Sequence, residues 1–591
     1  MDDLLSLTEI YSNKRNESVE YLENAYGAIQ VESENPIKYP VTLKVNMLVA
    51  EHDINLLINL PFNFPDSFPQ IKLDDQSFQK LYPLPHLDIF RTLCIFDDVV
   101  ASPNPDNPKG VLDATIDKSK EVLTKGILEQ NLTDYTEEFE TYWLQETKGR
   151  YLSTVAPSEI SKVVYLVPFK YKNWSEHGII SDHKNEAIQW IKNVGGSFNE
   201  EDVIPVFYVP LHEPIKFPFP KNNKDIYHIL KDNKCNLNDY FKFLTNNKRP
   251  TKILFSIHIN NDYTWGIWEH LKPFKRVIEN YRGRKKIQTN LKGFRANSRN
   301  GLIELIKEFP MMEIDKYYVT DVSAVRLKRR GGDGKVDNLG LRVAVVGCGS
   351  VGSHMAQGLI DIGIQHLLLI DSDNLSFENI NRHLCGADQV GEKKTEAVRN
   401  RLRKHYPTSQ IHVYSDNVLS LLKANPNTLN PFDLIIVAIS NTPAELRLNE
   451  LQMANVIKKP IVYLWVEPYL AGGHAVWIEP NSKTSMKMLF NSGEYKYQIL
   501  KNGNLYSKKE LGCSTSYVPY GVLELKKFIV EVIMFIQQQL NREVKKNKVF
   551  TWLGNLTEQK ENKRLLAPKW VGASDFSIRL NKIESVDLND I

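Results

Sequence analysis

The strand-like run Arg342–Val346 leads directly into Gly347-Cys348-Gly349-Ser350-Val351-Gly352, and a helical pattern of Met355, Leu359 and Ile362 follows at once. Glycines at 347, 349 and 352 let the backbone turn tightly and approach a phosphate. The helix N-terminus behind them offers amide donors and a partial positive charge. Asp371 ends the next strand, 19 residues beyond Gly352, where a carboxylate would accept from ribose hydroxyls. NAD and ATP sites read alike up to this point, and the residues that follow separate them. A triphosphate attacked at its α-phosphorus develops negative charge that Arg and Lys offset. Arg382 and Lys394 supply those cations, and Asp373 is placed toward a magnesium ion.

Two thiols are the other reactive groups. The chain has five cysteines, Cys94, Cys235, Cys348, Cys385 and Cys513, with no CxxC pair, which argues against a secreted disulfide framework and a four-cysteine zinc site. Cys513 sits in a polar loop, Leu511–Pro519, just before a long apolar helix over residues 522–540. A thiol there gains thiolate character, because a helix N-terminus is worth ~0.3–1 kcal/mol to an anion. Cys94 lies in Leu84-Pro85-His86-Leu87-Asp88-Ile89-Phe90-Arg91-Thr92-Leu93-Cys94, where a half-buried strand cysteine is the plain alternative to a nucleophile. Cys348 is a small residue within the glycine loop, and Cys235 and Cys385 read as ordinary thiols.

These groups need three supporting regions in a chain of 591 residues. Residues 1–150 read as short strands divided by proline turns, such as Phe64-Pro65-Asp66-Ser67-Phe68-Pro69, then helices ending in Glu137–Trp143: an α+β domain. Residues 151–322 alternate apolar runs with helix-like segments, an α/β middle region with no motif for chemistry and no histidines at metal-ligand spacing. Residues 323–591 start at a basic, glycine-rich joint and continue as buried-type strands alternating with helices, the text of a Rossmann-like parallel sheet. Basic and acidic residues number 74 and 71, a net of +3, which excludes an electrostatically driven nucleic-acid binder. The charged start lacks an apolar signal core, and no apolar run approaches the ~18 residues of a spanning helix. A cytoplasmic protein is expected, with no membrane partner and no direct nucleic-acid partner.

The string GCGSVG, DSD, NINR and VGEKK resembles the adenylating domain shared by ubiquitin-activating enzymes and the bacterial ThiF and MoeB proteins, over roughly residues 320–591. The resemblance implies that Asp371 binds ribose, that Asn379 and Arg382 contact phosphates, and that Lys394 neutralises the α-phosphate, with ATP and Mg2+ bound. It also implies a homodimer or pseudodimer in which an arginine of the preceding segment reaches an active site. Arg326, Arg329 and Arg330 are the possibilities, Arg329 being favoured. Activating enzymes carry a thioester cysteine in a loop like that of Cys513. The family commonly has a magnesium-binding aspartate where this chain has Ser440-Asn441-Thr442, and the ThiF-type zinc cysteines are missing, so no zinc is expected.

The N-terminal 150 residues resemble, more loosely, the ubiquitin-conjugating fold, through the FNFPDSFPQIKL turn, the His before Cys94 and the EFETYW helix. That family usually has His-Pro-Asn, where this chain has His86-Leu87-Asp88, and a glycine is common where Arg91 stands. Losing an oxyanion donor costs ~2.7–4 kcal/mol, so His86 or a backbone amide is expected to substitute. The order of domains resembles the activating–conjugating fusions of anti-phage CBASS operons. That resemblance implies adenylation of a protein C-terminal carboxylate, a thioester on Cys513, transfer to Cys94 and conjugation to an amine. The carboxylate would be that of a cGAS-like nucleotidyltransferase. Two other classes fit parts of the sequence: an NAD(P)-linked oxidoreductase, and a binding scaffold with a degenerate site, which Ser440 and the absent His-Pro-Asn favour.

Overall fold

The computed structural model of the chain describes residues 6–97, 100–247, 250–260, 262–271, 276–279, 285–288, 309–480, 482, 484–491, 493–509, 516–543 and 545–583. It contains two compact units. One comprises Met1–Leu166, Ser175–Asp182 and Val203–Asp321; the other comprises Val167–Trp174, His183–Asp202 and Val322–Ile591.

The first unit starts with α1 (Leu7–Tyr26), opened by a capping box between Ser6 and Glu9 and closed by Gly27 in the left-handed region. An antiparallel meander follows, β1 (Ile29–Val31), β2 (Val41–Val49), β3 (His52–Leu60), β4 (Gln70–Leu73) and β5 (Thr92–Leu93), paired in chain order. The short α2 (Asp75–Leu81) lies between β4 and β5, and α3 (Pro108–Ile127) packs Leu112, Ile116 and Leu123 against Leu43, Leu56 and Ile58 of the sheet. Tyr21 and Tyr26 of α1 both donate to Asp113 of α3 at 2.6 Å, tying the two helices together. Two short helices, α4 (Asp134–Glu137) and α5 (Phe139–Gln145), end this part.

The middle region is a closed barrel of seven strands, β6 (Arg150–Ser153), β7 (Lys162–Val167), β8 (Glu176–Ser181), β9 (Ile204–Leu211), β10 (Thr251–Ile259), β11 (Asp262–His270) and β12 (Ile314–Asp321), in the order β9-β10-β11-β12-β6-β8-β7. Helices α6 (Asn223–Asp232) and α7 (Leu237–Asn246) bury Ile226, Leu230, Tyr240 and Leu244 in one of its cores. Phe139 and Trp143 of α5 enter that same core beside Phe219 and Phe255, and the Trp143 indole donates to the Tyr317 carbonyl at 3.0 Å. The aromatic helix read from the sequence as the end of one domain is thus a core element of the next.

The second unit is built on an eight-stranded sheet. Helix α8 (Ala324–Gly331) precedes β13 (Arg342–Val346), α9 (Ser350–Asp361), β14 (His366–Ile370), α10 (Lys394–His405) and β15 (Gln410–Tyr414). Next come α11 (Val418–Ala424), β16 (Leu434–Val437), α12 (Thr442–Met453), β17 (Ile461–Val466), β18 (Gly472–Ile478), α13 (Val522–Leu540), β19 (Lys548–Leu553) and β20 (Ile578–Lys582). The strand order is β15-β14-β13-β16-β17-β18-β19-β20; the first five strands are parallel, and β18 to β20 join antiparallel. Alternation along β13 divides the core: Val343 and Val345 join Met355, Leu359 and Phe528, while Ala344 and Val346 join Val418 and Leu448 on the other face. Each such buried Val, Leu, Met or Phe contributes roughly 1.5–3 kcal/mol, which is why these strands read as continuous apolar runs. Chain order reverses between β14 and β16 on either side of β13, and that switch point is where an open α/β sheet leaves a crevice.

Candidate functional site

A cavity of about 470 Å³ opens in the second unit at the C-terminal ends of the parallel strands, where Val346, Ile370, Ala438 and Val466 line it. Gly347, Gly349, Asp371, Asp373, Arg382 and Lys394 line it as well, so six of the residues singled out by sequence meet there. The loop between β13 and α9 explains its glycines. Gly347 has φ +93°, and a Cβ there would lie 2.4 Å from the Ala438 carbonyl; a Cβ on Gly352 would lie 1.8 Å from the Gly347 carbonyl. Gly349 differs, because a Cβ on it would meet nothing within 4 Å. Gly347 and Gly352 therefore shape the loop, while Gly349 leaves bare backbone facing open space.

Asp371 secures this loop from the neighbouring strand. Its Oδ2 accepts from the Cys348 amide at 2.6 Å, and its Oδ1 accepts from the Asp373 amide at 2.8 Å. Each oxygen keeps a second lone pair for a hydroxyl. From the other side, His383 Nδ1 accepts from the Cys385 amide at 3.0 Å, so Nε2 carries the proton it donates to the Cys348 carbonyl at 2.7 Å. Burial lowers the pKa of this imidazole, in keeping with a neutral prop. Cys348 is fully buried and its thiol pKa is pushed up, which makes it an inert packing residue.

The charged groups are paired. Lys394 places its ammonium 2.8 Å from Asp373 Oδ2, and this bond holds the Asp373 carboxyl below the usual carboxylate range. Arg382 donates to the Val518 carbonyl at 2.8 Å and lies 4.8 Å from the centroid of the Tyr520 ring. The Tyr520 and Ser350 hydroxyls share a hydrogen bond. Asn379 accepts at Oδ1 from the Ser376 amide and hydroxyl, both at 3.2 Å, within its own turn. Arg329 and Arg330 are exposed on α8 and Arg326 is half-buried. Cys513 lies outside the described residues.

Ser440 lines the cavity with φ +50°, followed by Asn441, whose side chain caps α12 by accepting from the Ala444 amide at 3.1 Å. One turn on, Glu445 is buried, its Oε1 has no partner among the described residues, and burial raises its pKa to about 7.

In the first unit, Cys94 is exposed at the end of β5. Its amide donates to the His86 carbonyl at 2.8 Å, and a bridge joins Leu87 to Leu93, so residues 86–88 run antiparallel to residues 92–94. Asp88 closes the turn, its Oδ1 accepting from the Phe90 amide at 2.8 Å and the Thr92 amide at 2.7 Å. The His86 ring lies between two carboxylates, with Nε2 2.9 Å from Asp134 and Nδ1 3.4 Å from Glu138. Its backbone amide donates to the Tyr142 hydroxyl at 2.6 Å. Arg91 has φ +69°, a conformation glycine adopts freely, and its guanidinium pairs with Glu34 and with Asp75.

Sequence reasoning missed Ser350 as a side chain, Tyr520, Val518, Glu445, Asp134 and Glu138. Tyr520 meets Ser350 across 170 positions and Asp134 meets His86 across 48, distances at which no periodicity or spacing links two residues.

Among the described residues, no helix is long and apolar enough to cross a membrane, and no group of three or more His, Cys, Asp and Glu is placed to hold a metal ion.

Comparison with known proteins finds two family matches in separate parts of the chain. The ThiF family matches residues 324–506, and prokaryotic E2 family B matches residues 21–151. Ubiquitin-like modifier-activating enzyme 5 of Caenorhabditis elegans is 31% identical over 147 residues, covering 23% of this chain and 35% of the relative. The sulfur carrier protein adenylyltransferase of Thermus thermophilus is 27% identical over 157 residues, covering 26% of this chain and 53% of the relative. The chain therefore spans about a third to a half of these curated relatives. A crystal structure of Escherichia coli MccB aligns with TM-score 0.29 and 18% identity, covering 42% of this chain and 65% of that one. An E2-like domain of prokaryotic E2 family B and an adenylation domain of the ThiF family are joined in this one polypeptide.

Proposed function

We propose that the chain activates the C-terminal carboxylate of a protein with ATP and conjugates it to an amine. The supporting observation is one cavity in which a bare glycine backbone, the Asp371 carboxylate and the cations of Arg382 and Lys394 converge. That donor set fits a nucleoside triphosphate. Asp371 takes the ribose hydroxyls, the loop amides at the start of α9 take phosphate, and Arg382 and Lys394 offset charge as the substrate carboxylate attacks the α-phosphorus and pyrophosphate departs. A single magnesium-binding carboxylate, Asp373, is enough when substrate phosphates and water complete the shell. The ion would supply charge neutralisation of the phosphates.

The Cys513 thiolate then displaces AMP from the acyl adenylate, leaving a thioester. The Cys94 thiolate attacks that thioester and releases the Cys513 thiol, and a target amine then attacks the new thioester and releases the Cys94 thiol. Holding both thiols on one chain raises their effective concentration. The N-terminal E2-like match, with Cys94 exposed on its hairpin, supports this second transfer. A cGAS-like nucleotidyltransferase as carboxylate donor, antiviral defence and a cytoplasmic setting complete the reading, on the strength of domain order. A homodimer through the ThiF-family domain, in which Arg329 reaches the partner's active site, accords with the exposure of that side chain on α8.

Thioester trapping tests the relay. With ATP, magnesium and a carboxylate donor, Cys94→Ala should accumulate a DTT-sensitive adduct on Cys513, and Cys513→Ala should form none. An adduct that forms equally in both variants overturns it. Stabilisation by NAD and not by ATP with magnesium would favour an oxidoreductase instead.

A further inference from the structure

One part of the cavity wall is the segment Tyr517–Tyr520, which contributes Tyr517, Val518 and Tyr520 to the lining. Three of the contacts holding it differ in kind. Val518 offers its carbonyl to Arg382 at 2.8 Å, and the Tyr520 hydroxyl bonds Ser350 while its ring lies against the Arg382 guanidinium. Pro519, between them, accepts from the Tyr469 amide at 2.5 Å, in a turn where Tyr469 and Leu470 both have positive φ. The first and second contacts occupy Nη1 and one face of the Arg382 guanidinium and the first hydroxyl of the α9 N-terminus, groups that a phosphate would engage. The Tyr469 contact involves neither of those groups.

We propose that Tyr517–Tyr520 is a strap that competes with nucleotide phosphate for Arg382 and Ser350, and that binding of a nucleoside triphosphate releases it to turn about Pro519. This rests on the ATP reading above. A phosphate oxygen is an ionised acceptor and makes a charge-assisted bond with a guanidinium roughly twice as strong as a neutral carbonyl does. The triphosphate therefore wins Arg382 from Val518, and Tyr520 loses its ring contact and its Ser350 partner together. Competition also has a thermodynamic signature. Whatever closes the strap reduces apparent nucleotide affinity, because the binding-competent state is only part of the population. Removing one strap contact must then tighten binding, whereas removing a group that binds nucleotide must weaken it.

The experiment uses the full chain, measuring ATP affinity by calorimetry and hydrogen exchange of the peptide over residues 516–521 with and without ATP and magnesium. Exchange in that peptide should rise with nucleotide. Tyr520→Phe keeps the ring and loses the hydroxyl bond, so it should bind ATP about 2- to 10-fold tighter, the range of one hydrogen bond, and exchange faster without ligand. ATP binding with unchanged exchange, or a Tyr520→Phe variant that binds no tighter, overturns the strap and leaves the ATP reading standing. A wild-type chain that binds no ATP overturns both. The wild-type exchange measurement needs no variant.

Discussion

Lys394 holds Asp373 twice, through its ammonium on Oδ2 at 2.8 Å and through its backbone amide on the Asp373 carbonyl at 2.9 Å. The cation expected to neutralise the α-phosphate and the carboxylate expected to face magnesium are thus one ion pair before substrate arrives. Separating them leaves each to its own partner, and the two should fail differently. Lys394→Ala should bind ATP with nearly normal affinity and lower the rate of pyrophosphate exchange about 10²- to 10³-fold, the usual effect of deleting one charge-stabilising donor. Asp373→Asn should instead raise the magnesium concentration needed for half-maximal exchange. Equal magnesium dependence in the two variants would show that Asp373 does not face the ion.

The glycine loop gives a contrast of a different kind. An added Cβ at Gly352 would lie 1.8 Å from the Gly347 carbonyl, while one at Gly349 would meet nothing within 4 Å. Gly352→Ala should destabilise the second unit by several kcal/mol, about 3 or more for an unrelieved core clash. Gly349→Ala should melt within about 2 °C of the wild type yet lose ATP affinity at least tenfold, because its methyl group stands where backbone and phosphate must meet. Paired thermal unfolding and calorimetry check both.

Much of this was legible because it is local. The strand–glycine–helix loop, Asp371 at the next strand end, and Asp373, Arg382 and Lys394 beyond it are set by spacing along one α/β unit, and Gly347, Gly349, Asp371, Asp373, Arg382 and Lys394 line one cavity. Asn379 uses its Oδ1 inside its own turn, a local role that residue spacing does not reveal. The sequence offers Cys94 as a half-buried strand cysteine or as a nucleophile; it is exposed at a strand end, and neither the hairpin nor the role of Asp88 as its turn closure is visible in the residue spacing. The barrel escaped altogether as a closed form. Its strands alternate with helices in sequence, and closure depends on pairing β6 with β12 across more than 160 residues. Tyr520 and Glu445 carried no signal because their partners come from tertiary packing.

Asp88 stands where a conjugating enzyme usually has asparagine, and the hairpin gives it a structural task. One carboxylate oxygen accepts from two amides, at Phe90 and Thr92, and so fixes the arm that faces Cys94. Asp88→Asn keeps that acceptor and loses the charge; Asp88→Ala loses both. Transfer onto Cys94 should survive the first substitution within about threefold and fall at least tenfold in the second, while pyrophosphate exchange is unaffected in each. A Cys94 thioester that fails equally in Asp88→Asn would assign the charge, and not the turn, to the reaction.

Glu445 makes a prediction in pH. Burial raises its folded pKa from the ordinary glutamate value of about 4.5 to about 7. Between those values the folded state holds a proton that the unfolded state has lost, so stability falls as pH rises through this window. The full penalty above pH 7 is roughly 3 kcal/mol, taking about 1.4 kcal/mol per unit. Glu445→Gln, neutral at every pH, should match the wild type near pH 5 and gain up to that amount by pH 8. Thermal unfolding of both proteins at the two pH values measures it. Parallel loss of stability in the variant would mean that another group, and not this buried carboxyl beside Ser440, sets the pH response.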